Sequence, residues 1–202
     1  MSFYSVAKFL FSPISRFMFQ VTVEGSENLP AEGSAILCAN HKSYIDPVFL
    51  AIVLHRPLNF MAKAELFRVP LLGPVIRGLG AFPVHRGKAD SEAVRRAISV
   101  VQQGSVLAMF PEGTRLKQGE TPQRFKSGAA LIAFRTKAVI IPAAIITKGK
   151  VRLFKKTRVR IGKPMTCEDL GMTDGSIENL RQASEIIHSI VLGLLAGDEI
   201  KP

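Results

Sequence analysis

Apolar residues recur along the chain with two different periods after residue 20. Continuous apolar runs of about four to eight residues predict buried strands. They lie at 21–24, 35–39, 59–63, 80–85, 105–110 and 138–146. Apolar stripes that return every third or fourth position predict helices with one packed face. These stripes lie at 47–54, 90–104, 125–137 and 176–196. The alternation is typical of an α/β fold, a twisted and mostly parallel sheet flanked by helices.

Two segments depart from this simple alternation. Residues 64–79 are apolar but are interrupted by Arg68, Pro70 and Arg77, which predicts a short helix and a hydrophobic loop lying against lipid. Residues 148–161 alternate apolar and basic side chains around Lys155 and Lys156, which predicts a strand pair with one basic face. Such a face is either simply solvated or attracted to anionic headgroups or to an acidic acyl carrier.

The amino terminus is unusually aromatic. Residues 1–20 hold six of the fifteen aromatic residues, with Lys8, Pro13 and Arg16 among them. A spanning helix needs about 20 apolar residues with few charges, so this segment does not qualify, and the order of residues is not that of a signal peptide. We predict an amphipathic, membrane-associating helical segment, with a helix packed on the core as the alternative. Residues 21–202 are then expected to form a single domain.

Charge is the next informative property. The chain has 27 Lys or Arg against 16 Asp or Glu, a net charge of +11, and twelve of the basic residues lie between 121 and 167, where no acidic residue occurs. This favours an anionic partner: nucleic acid, an acidic protein, a phosphorylated substrate or a membrane surface. The two cysteines, Cys38 and Cys167, are far apart and have no metal-ligand spacing around them. We therefore expect a reducing compartment, no disulfide and no bound metal.

An imidazole and a carboxylate lie five positions apart where the strand at 35–39 ends. Asp46 followed by Pro47 predicts a helix start with Asp46 as its cap, so His41 lies in the turn between strand and helix. A carboxylate can orient such a ring and leave its far nitrogen free to take a proton. No Ser or Cys accompanies the pair as a nucleophile, which indicates that the base activates a hydroxyl of the substrate. A structural histidine is the alternative.

Basic and glycine residues follow three further predicted strands. Loops at the carboxyl ends of parallel strands are where ligands bind in α/β sheets. Glycine allows close approach of the backbone, and arginine can hold a phosphate with two parallel hydrogen bonds. The loops 82–87 and 110–115 and the strand end at Lys63 thus predict a phosphate site beside His41; their candidates are Lys63, Arg86, Glu112, Gly113, Thr114 and Arg115.

Taken together, these motifs resemble the glycerolipid acyltransferase superfamily, and specifically the lysophosphatidate acyltransferases. The resemblance extends from about residue 20 to residue 165. It consists of four blocks in order: Asn40-His41-x4-Asp46, Phe82-Pro83-Val84-x-Arg86-Gly87, Phe110-Pro111-Glu112-Gly113-Thr114-Arg115 and Val139-Ile140-Ile141-Pro142-Ala143.

The resemblance implies an enzyme that transfers a fatty acyl group from a thioester to the free hydroxyl of lysophosphatidate and forms phosphatidate. His41 is then the base and Asp46 orients it. Lys63, Arg86 and Arg115 clamp the phosphate together with the loop at Gly113 and Thr114. Glu112 orients Arg115 or a glycerol oxygen. The resemblance implies no cofactor, with acyl-CoA or acyl carrier protein as the donor, and a peripheral or monotopic place on the cytoplasmic face of the cell membrane, against an anionic lipid surface.

Four alternatives remain from the residues alone. The acceptor could be glycerol-3-phosphate or another lysophospholipid, although the short chain favours lysophosphatidate. A basic nucleic-acid-binding domain would explain the charge, but no binding module is recognisable and the aromatics do not interleave with the basic strands. A metal-dependent hydrolase would use His41, Asp46 and His85 and would be sensitive to chelators. A membrane-binding protein without activity would not need all four blocks.

Overall fold

The computed structural model describes residue 17 and residues 19–85, 90–116, 123–147 and 156–197. Seven strands occur in this part of the chain: β1 (Val21–Glu24), β2 (Ala35–Ala39), β3 (Leu58–Lys63), β4 (Ala81–Val84), β5 (Val106–Met109), β6 (Val139–Thr147) and β7 (Thr157–Ile161). Five α-helices accompany them: α1 (Asp46–Val53), α2 (Leu72–Gly78), α3 (Ser91–Gln102), α4 (Gly128–Thr136) and α5 (Ile177–Ala196). Two 3-10 turns cover Ser26–Asn28 and Ala64–Arg68.

One sheet holds all seven strands, in the order β1-β7-β6-β2-β5-β3-β4. Strands β2 to β6 run parallel to one another, whereas β7 is antiparallel to β6 and parallel to β1. The carboxyl ends of β2, β3, β4 and β5 therefore meet at one edge of the sheet. This confirms the predicted α/β class with a mostly parallel sheet, and it identifies the edge where strand-end residues can converge.

Helices cover both faces of the sheet, which explains why its strands are apolar without alternation. All five residues of β2 are buried. Its Ile36 and Cys38 belong to one core with residues of α3, α4 and α5, and its Leu37 belongs to a second core with α1, β1 and β7. Strand β2 is thus packed on both faces, which fixes the position of the turn that follows it.

The predicted helices are confirmed, with caps of the expected chemistry at two of them. Asp90 accepts a hydrogen bond from the Ala93 backbone N–H at the start of α3, and Ser176 does the same for Asn179 at the start of α5. The prediction that Asp46 caps α1 is wrong. The helix already includes Asp46, Ile45 occupies the cap position without a side-chain cap bond, and the Asp46 carboxylate is used elsewhere.

The predicted strand pair at 148–161 is wrong in its pairing. Strand β7 pairs with β6 on one side and with β1 on the other, so no further strand can pair with it. Residues 148–155 lie outside the described part. Its basic face is also partly neutralised, because the Nε atoms of Arg158 and Arg160 lie 3.2 Å and 2.7 Å from the two carboxylate oxygens of Glu24. This face is therefore a weaker attraction for anions than its composition indicates.

The amino-terminal prediction falls almost wholly outside the described residues, since residues 1–16 and 18 are not among them. Its membrane association stays a prediction, as does the division into 1–20 and 21–202. None of the helices in the described ranges has the length and hydropathy that a membrane crossing requires.

Candidate active site

The site is built on the turn between β2 and α1, and Asn40 anchors this turn to the sheet. Its amide nitrogen donates to the Ile145 carbonyl over 3.2 Å, and its amide oxygen accepts from the Ile145 backbone N–H over 2.7 Å. An asparagine can replace a strand residue in this way, because its side chain carries both a donor and an acceptor. Asn40 thus extends the pairing of β2 with β6 and fixes where the next residue begins.

His41 and Asp46 are in direct contact, as the spacing predicted. His41 Nδ1 lies 2.9 Å from Asp46 Oδ2, and both side chains are buried. The same oxygen accepts the backbone N–H groups of Lys42 and Ser43 over 2.6 Å and 2.7 Å. Since a carboxylate only accepts hydrogen bonds, Nδ1 carries the hydrogen, and in the neutral ring Nε2 then carries the free lone pair. The turn therefore presents an imidazole whose far nitrogen can act as a base.

The loop after β5 forms the second wall of the site. The Phe110 ring stacks on the His41 imidazole with centroids 4.2 Å apart and planes within 18°. The Leu116 backbone N–H donates to the His41 carbonyl over 2.8 Å, which closes the loop 110–116 over the turn. The motif contains Phe110, but nothing in the sequence indicates that its ring packs on the histidine. Only the neighbouring positions of β2 and β5 in the sheet bring the two together.

Glu112 is a buried carboxylate inside this wall. It is only 2 % exposed, and neither of its oxygens has a hydrogen-bond partner of good geometry among the described residues. The pKa of Glu112 is raised from 4.5 to about 7, mainly by burial; the Asp46 charge adds to this rise, while the nearby His41 backbone N–H and Lys42 oppose it. The groups that act on Glu112, the His41 backbone and the Asp46 charge, belong to the turn, and no ion pair with Arg115 appears among the described residues.

Arg115 is held by an aromatic ring. Its guanidinium carbon lies 3.4 Å from the centroid of Tyr44, which is an exposed residue of the turn after His41. This cation–π contact orients the guanidinium without neutralising it. Lys63 instead lies 3.3 Å from Glu65 in an exposed ion pair. Arg86 and Gly87, predicted at a third strand end, lie outside the described residues.

Lys126 is a residue of the site that sequence reasoning missed. Gly113 has φ +75, and a Cβ placed on it would lie 2.9 Å from Lys126 Nζ, so the lysine side chain lies directly along the glycine. The Lys126 backbone N–H donates to the Pro111 carbonyl over 3.0 Å, and the neighbouring Phe125 is buried in the core. The only indication in the sequence was that Lys126 is the last basic residue before α4.

Comparison with known proteins identifies the family of the chain. The acyltransferase family model matches residues 20–146, which contain β1 to most of β6 and every residue of the turn and loop described above. The chain belongs to the acyltransferase family. The acyltransferase resembles 1-acyl-sn-glycerol-3-phosphate acyltransferases of Bacillus subtilis (33 % identity; 72 % of this chain and 73 % of the relative) and Streptococcus pneumoniae (34 %; 72 % and 55 %).

Two further relatives widen the comparison. A chloroplastic 1-acyl-sn-glycerol-3-phosphate acyltransferase of Arabidopsis thaliana is 30 % identical over 70 % of this chain and 40 % of its own length. The crystal structure of the 1-acyl-sn-glycerophosphate acyltransferase PlsC from Thermotoga maritima superposes with a TM-score of 0.71 at 25 % identity, over 98 % of this chain and 83 % of that one. The fold of the acyltransferase is therefore shared over nearly its whole length.

Cys38 and His85 lie in surroundings that differ from those of His41. The pKa of the Cys38 thiol is raised to about 12 by complete burial, so this cysteine is no nucleophile. Within the described ranges, no three His, Cys, Asp or Glu side chains gather in a way that could hold a metal ion. His85, which a metal-dependent hydrolase would require, is exposed, and its backbone N–H donates to Asp90 over 2.7 Å.

Proposed function

We propose that this acyltransferase transfers a fatty acyl group from an acyl thioester to the free hydroxyl of lysophosphatidate and forms phosphatidate for phospholipid synthesis. The observation that carries the proposal is the buried contact of 2.9 Å between His41 Nδ1 and Asp46 Oδ2. The relatives that share this part of the chain are named for acylating 1-acyl-sn-glycerol-3-phosphate, which supports the choice of acceptor.

The reaction needs one base and no covalent enzyme intermediate. His41 Nε2 takes the proton of the acceptor hydroxyl as its oxygen attacks the thioester carbonyl. The tetrahedral intermediate then collapses, the carbon–sulfur bond breaks, and the imidazolium returns the proton to the leaving thiolate. Asp46 keeps the ring in place and stabilises its positive charge during the exchange. The base contributes about 10²–10⁴ in rate, and positioning of the two substrates contributes much of the rest.

Cations around the loop 111–115 bind the acceptor phosphate in this proposal. Arg115 offers a bidentate guanidinium that Tyr44 already orients. Lys126 adds an ammonium along Gly113, and Lys63 and Arg86 complete the clamp. Thr114 brings its backbone N–H and its hydroxyl to the same anion, and Gly113, whose own N–H donates to the Phe110 carbonyl over 3.0 Å, allows the close approach of the loop.

The partners follow from this chemistry. The donor is acyl-CoA or acyl carrier protein, used as a substrate, and no cofactor takes part. The acceptor is a lipid, so we place the enzyme on the anionic cytoplasmic face of the cell membrane as a peripheral or monotopic protein. Residues 1–20 are its amino-terminal contact with the headgroups.

The test is an assay with the purified chain, mixed vesicles that contain lysophosphatidate, and an acyl thioester. We expect phosphatidate to form and His41→Ala to lose it while the protein remains folded. His85→Ala is the matched control, because His85 is an exposed histidine outside the turn, and it should keep the wild-type rate. Full activity in His41→Ala would rule out the proposed base.

Two substrate comparisons complete the test. Replacing lysophosphatidate by glycerol-3-phosphate or by another lysophospholipid should lower kcat/KM, and a preference for either would correct the acceptor. Comparing acyl-CoA with acyl carrier protein at equal acyl chain length decides the donor directly.

A further inference from the structure

Four large apolar side chains are exposed within seven residues of the segment 64–79, which we call the docking segment. They are Val69, Leu71, Leu72 and Val75. Leu71 is 86 % exposed and lies at the tip between the 3-10 turn Ala64–Arg68 and helix α2. Single exposed apolar residues are ordinary on a protein surface, but a contiguous group indicates a contact with lipid or with another protein.

The backbone of the docking segment is strained at its most exposed residue. Leu71 has φ +65, a region that a leucine rarely adopts. Hydrogen bonds around it hold this conformation: Gly73 N–H donates to the Val69 carbonyl over 2.9 Å, and Leu72 N–H to the Pro70 carbonyl over 2.8 Å. Strain of this kind costs free energy and persists where the surrounding structure imposes it, often at functional surfaces. In this segment the strained residue is an exposed leucine.

The charges around these side chains favour an anionic bilayer over a protein partner. Arg68 and Arg77 are exposed at the two ends of the group, and Arg77 lies over the Phe67 ring at 5.5 Å. No acidic residue occurs between Glu65 and Asp90. Apolar side chains flanked by arginines are the composition that binds the boundary between headgroups and acyl chains of anionic membranes.

The place of the docking segment in the fold connects it with the site. It follows the carboxyl end of β3, and the His41 turn follows the carboxyl end of the parallel strand β2, so both lie at the same edge of the sheet. We propose that the docking segment inserts Leu71 and its apolar neighbours into an anionic phospholipid bilayer and so brings the active-site edge to its lipid acceptor. The second half of this statement rests on the proposed function.

The direct test is sedimentation of the full chain with vesicles of phosphatidylcholine, with and without phosphatidylglycerol. Leu71→Asp should lower partitioning about tenfold, because one buried leucine contributes at least that factor to an equilibrium constant. Because the Leu71 side chain is 86 % exposed, the substitution removes little packing and the fold should not suffer. Ile177→Asp is the control: Ile177 is 87 % exposed and begins α5, a helix packed on β6. It should leave partitioning unchanged.

A second measurement reports on insertion itself, whatever the amino-terminal segment contributes to binding. Cys38 is buried, so Cys167→Ser leaves no accessible thiol among the described residues. An environment-sensitive dye on Leu71→Cys should shift to the blue with anionic vesicles and be quenched by quenchers attached to the lipid chains. The same dye on Ile177→Cys should do neither. A dye at position 71 that stays in water on vesicle-bound protein overturns the proposal.

Activity assays separate this inference from the proposed function. Leu71→Asp should retain the wild-type rate on a short-chain, water-soluble lysophosphatidate and lose activity about tenfold on acceptor presented in vesicles. Absence of any acylation would contradict the proposed function and leave the vesicle result standing. A dimer in solution that Leu71→Asp dissociates, with vesicle binding unchanged, would assign the docking segment to a second copy of the chain and overturn the membrane contact.

Discussion

Oxygen Oδ2 of Asp46 accepts hydrogen bonds from three donors: the His41 ring and the backbone N–H groups of Lys42 and Ser43. A single atom thus determines the shape of the turn, the tautomer of the imidazole and the direction of its free nitrogen. The spacing of four residues between His41 and Asp46 follows from this arrangement, because the carboxylate must reach back over one tight turn.

Asp46→Asn therefore separates the structural role of this side chain in the turn from its chemical role beside the imidazole. The amide oxygen can take the place of Oδ2 and still accept from the ring and from the turn, but the amide carries no charge to oppose the imidazolium. We expect kcat to fall by about 10²–10⁴ and the free energy of unfolding to fall by about 1–3 kcal/mol. Asp90→Asn is the control, since Asp90 also accepts two backbone N–H groups. It should lose stability alone; an equal loss of kcat there would refute the role of Asp46.

Glu112 predicts a dependence of stability on pH. Its pKa is about 7 in the folded protein against an ordinary 4.5, mainly because of burial. Between these two values the folded state keeps a proton that the unfolded chain releases, so the contribution of Glu112 to stability falls as the pH rises and then levels off above pH 7. Gln cannot titrate, hence the gain in unfolding free energy of Glu112→Gln over wild type should grow from pH 4.5 to 7.

Urea unfolding of both proteins across this window measures the effect, and titration of all other groups cancels in the difference. A difference that stays constant between pH 4.5 and pH 8 would contradict the raised pKa. We also expect Glu112→Gln to be slower in acyl transfer, because a carboxylate kept in the wall of the site at a cost in stability points to a role in function.

The strands and helices could be predicted from the sequence better than the contacts between side chains. Strand Ala35–Ala39 is buried on both faces and is therefore a continuous apolar run. Helix α3 is buried on one face, so its apolar residues recur every third or fourth position. Both patterns can be recognised in the sequence. The cap at Asp46 was predicted wrongly, since local propensity cannot reveal that the turn before it needs the same carboxylate. The pairing of β7 with β1 joins distant parts of the chain, and the packing of Lys126 on Gly113 joins two elements; a local pattern carries no information on either contact.

The loop 111–115 requires glycine at position 113 for two reasons that can be separated. Gly113 and Gly104 both have φ +75, but a Cβ at Gly113 meets Lys126 whereas one at Gly104 meets no described atom within 4 Å. Gly104→Ala thus measures the backbone cost alone, about 1–2 kcal/mol. The flexible Lys126 side chain can move away from a Cβ at Gly113, so we expect Gly113→Ala to cost about as much as Gly104→Ala in urea unfolding but, unlike it, to raise KM for the acceptor. In a Lys126→Ala background, Gly113→Ala should no longer raise KM; a rise of the same size there would show that Lys126 does not rest on the loop.

At the scale of the whole molecule, the sheet order brings the functional residues together. Strand β2 lies between β6 and β5. Asn40 therefore reaches Ile145 of β6 on one side, and Phe110 at the end of β5 covers His41 on the other. The docking segment extends from β3, the next strand of the sheet. The proposed base, phosphate site and lipid contact are thus neighbours because their strands are neighbours.

The net charge of +11 and the exposed leucine should respond differently to salt. Attraction of arginines to anionic headgroups acts over about 10 Å at 0.1 M salt but only about 3 Å at 1 M, whereas burial of an apolar side chain does not depend on screening. Arg68→Gln should therefore weaken sedimentation with phosphatidylglycerol vesicles at low salt and match wild type at high salt. Leu71→Asp should sediment less than wild type at both low and high salt.

Arg135→Gln is the control, because Arg135 is an exposed arginine on α4. It removes the same charge elsewhere and should weaken sedimentation less at low salt. If Arg68→Gln and Arg135→Gln behave alike, the net charge of the chain attracts the membrane and the docking segment has no electrostatic part in it.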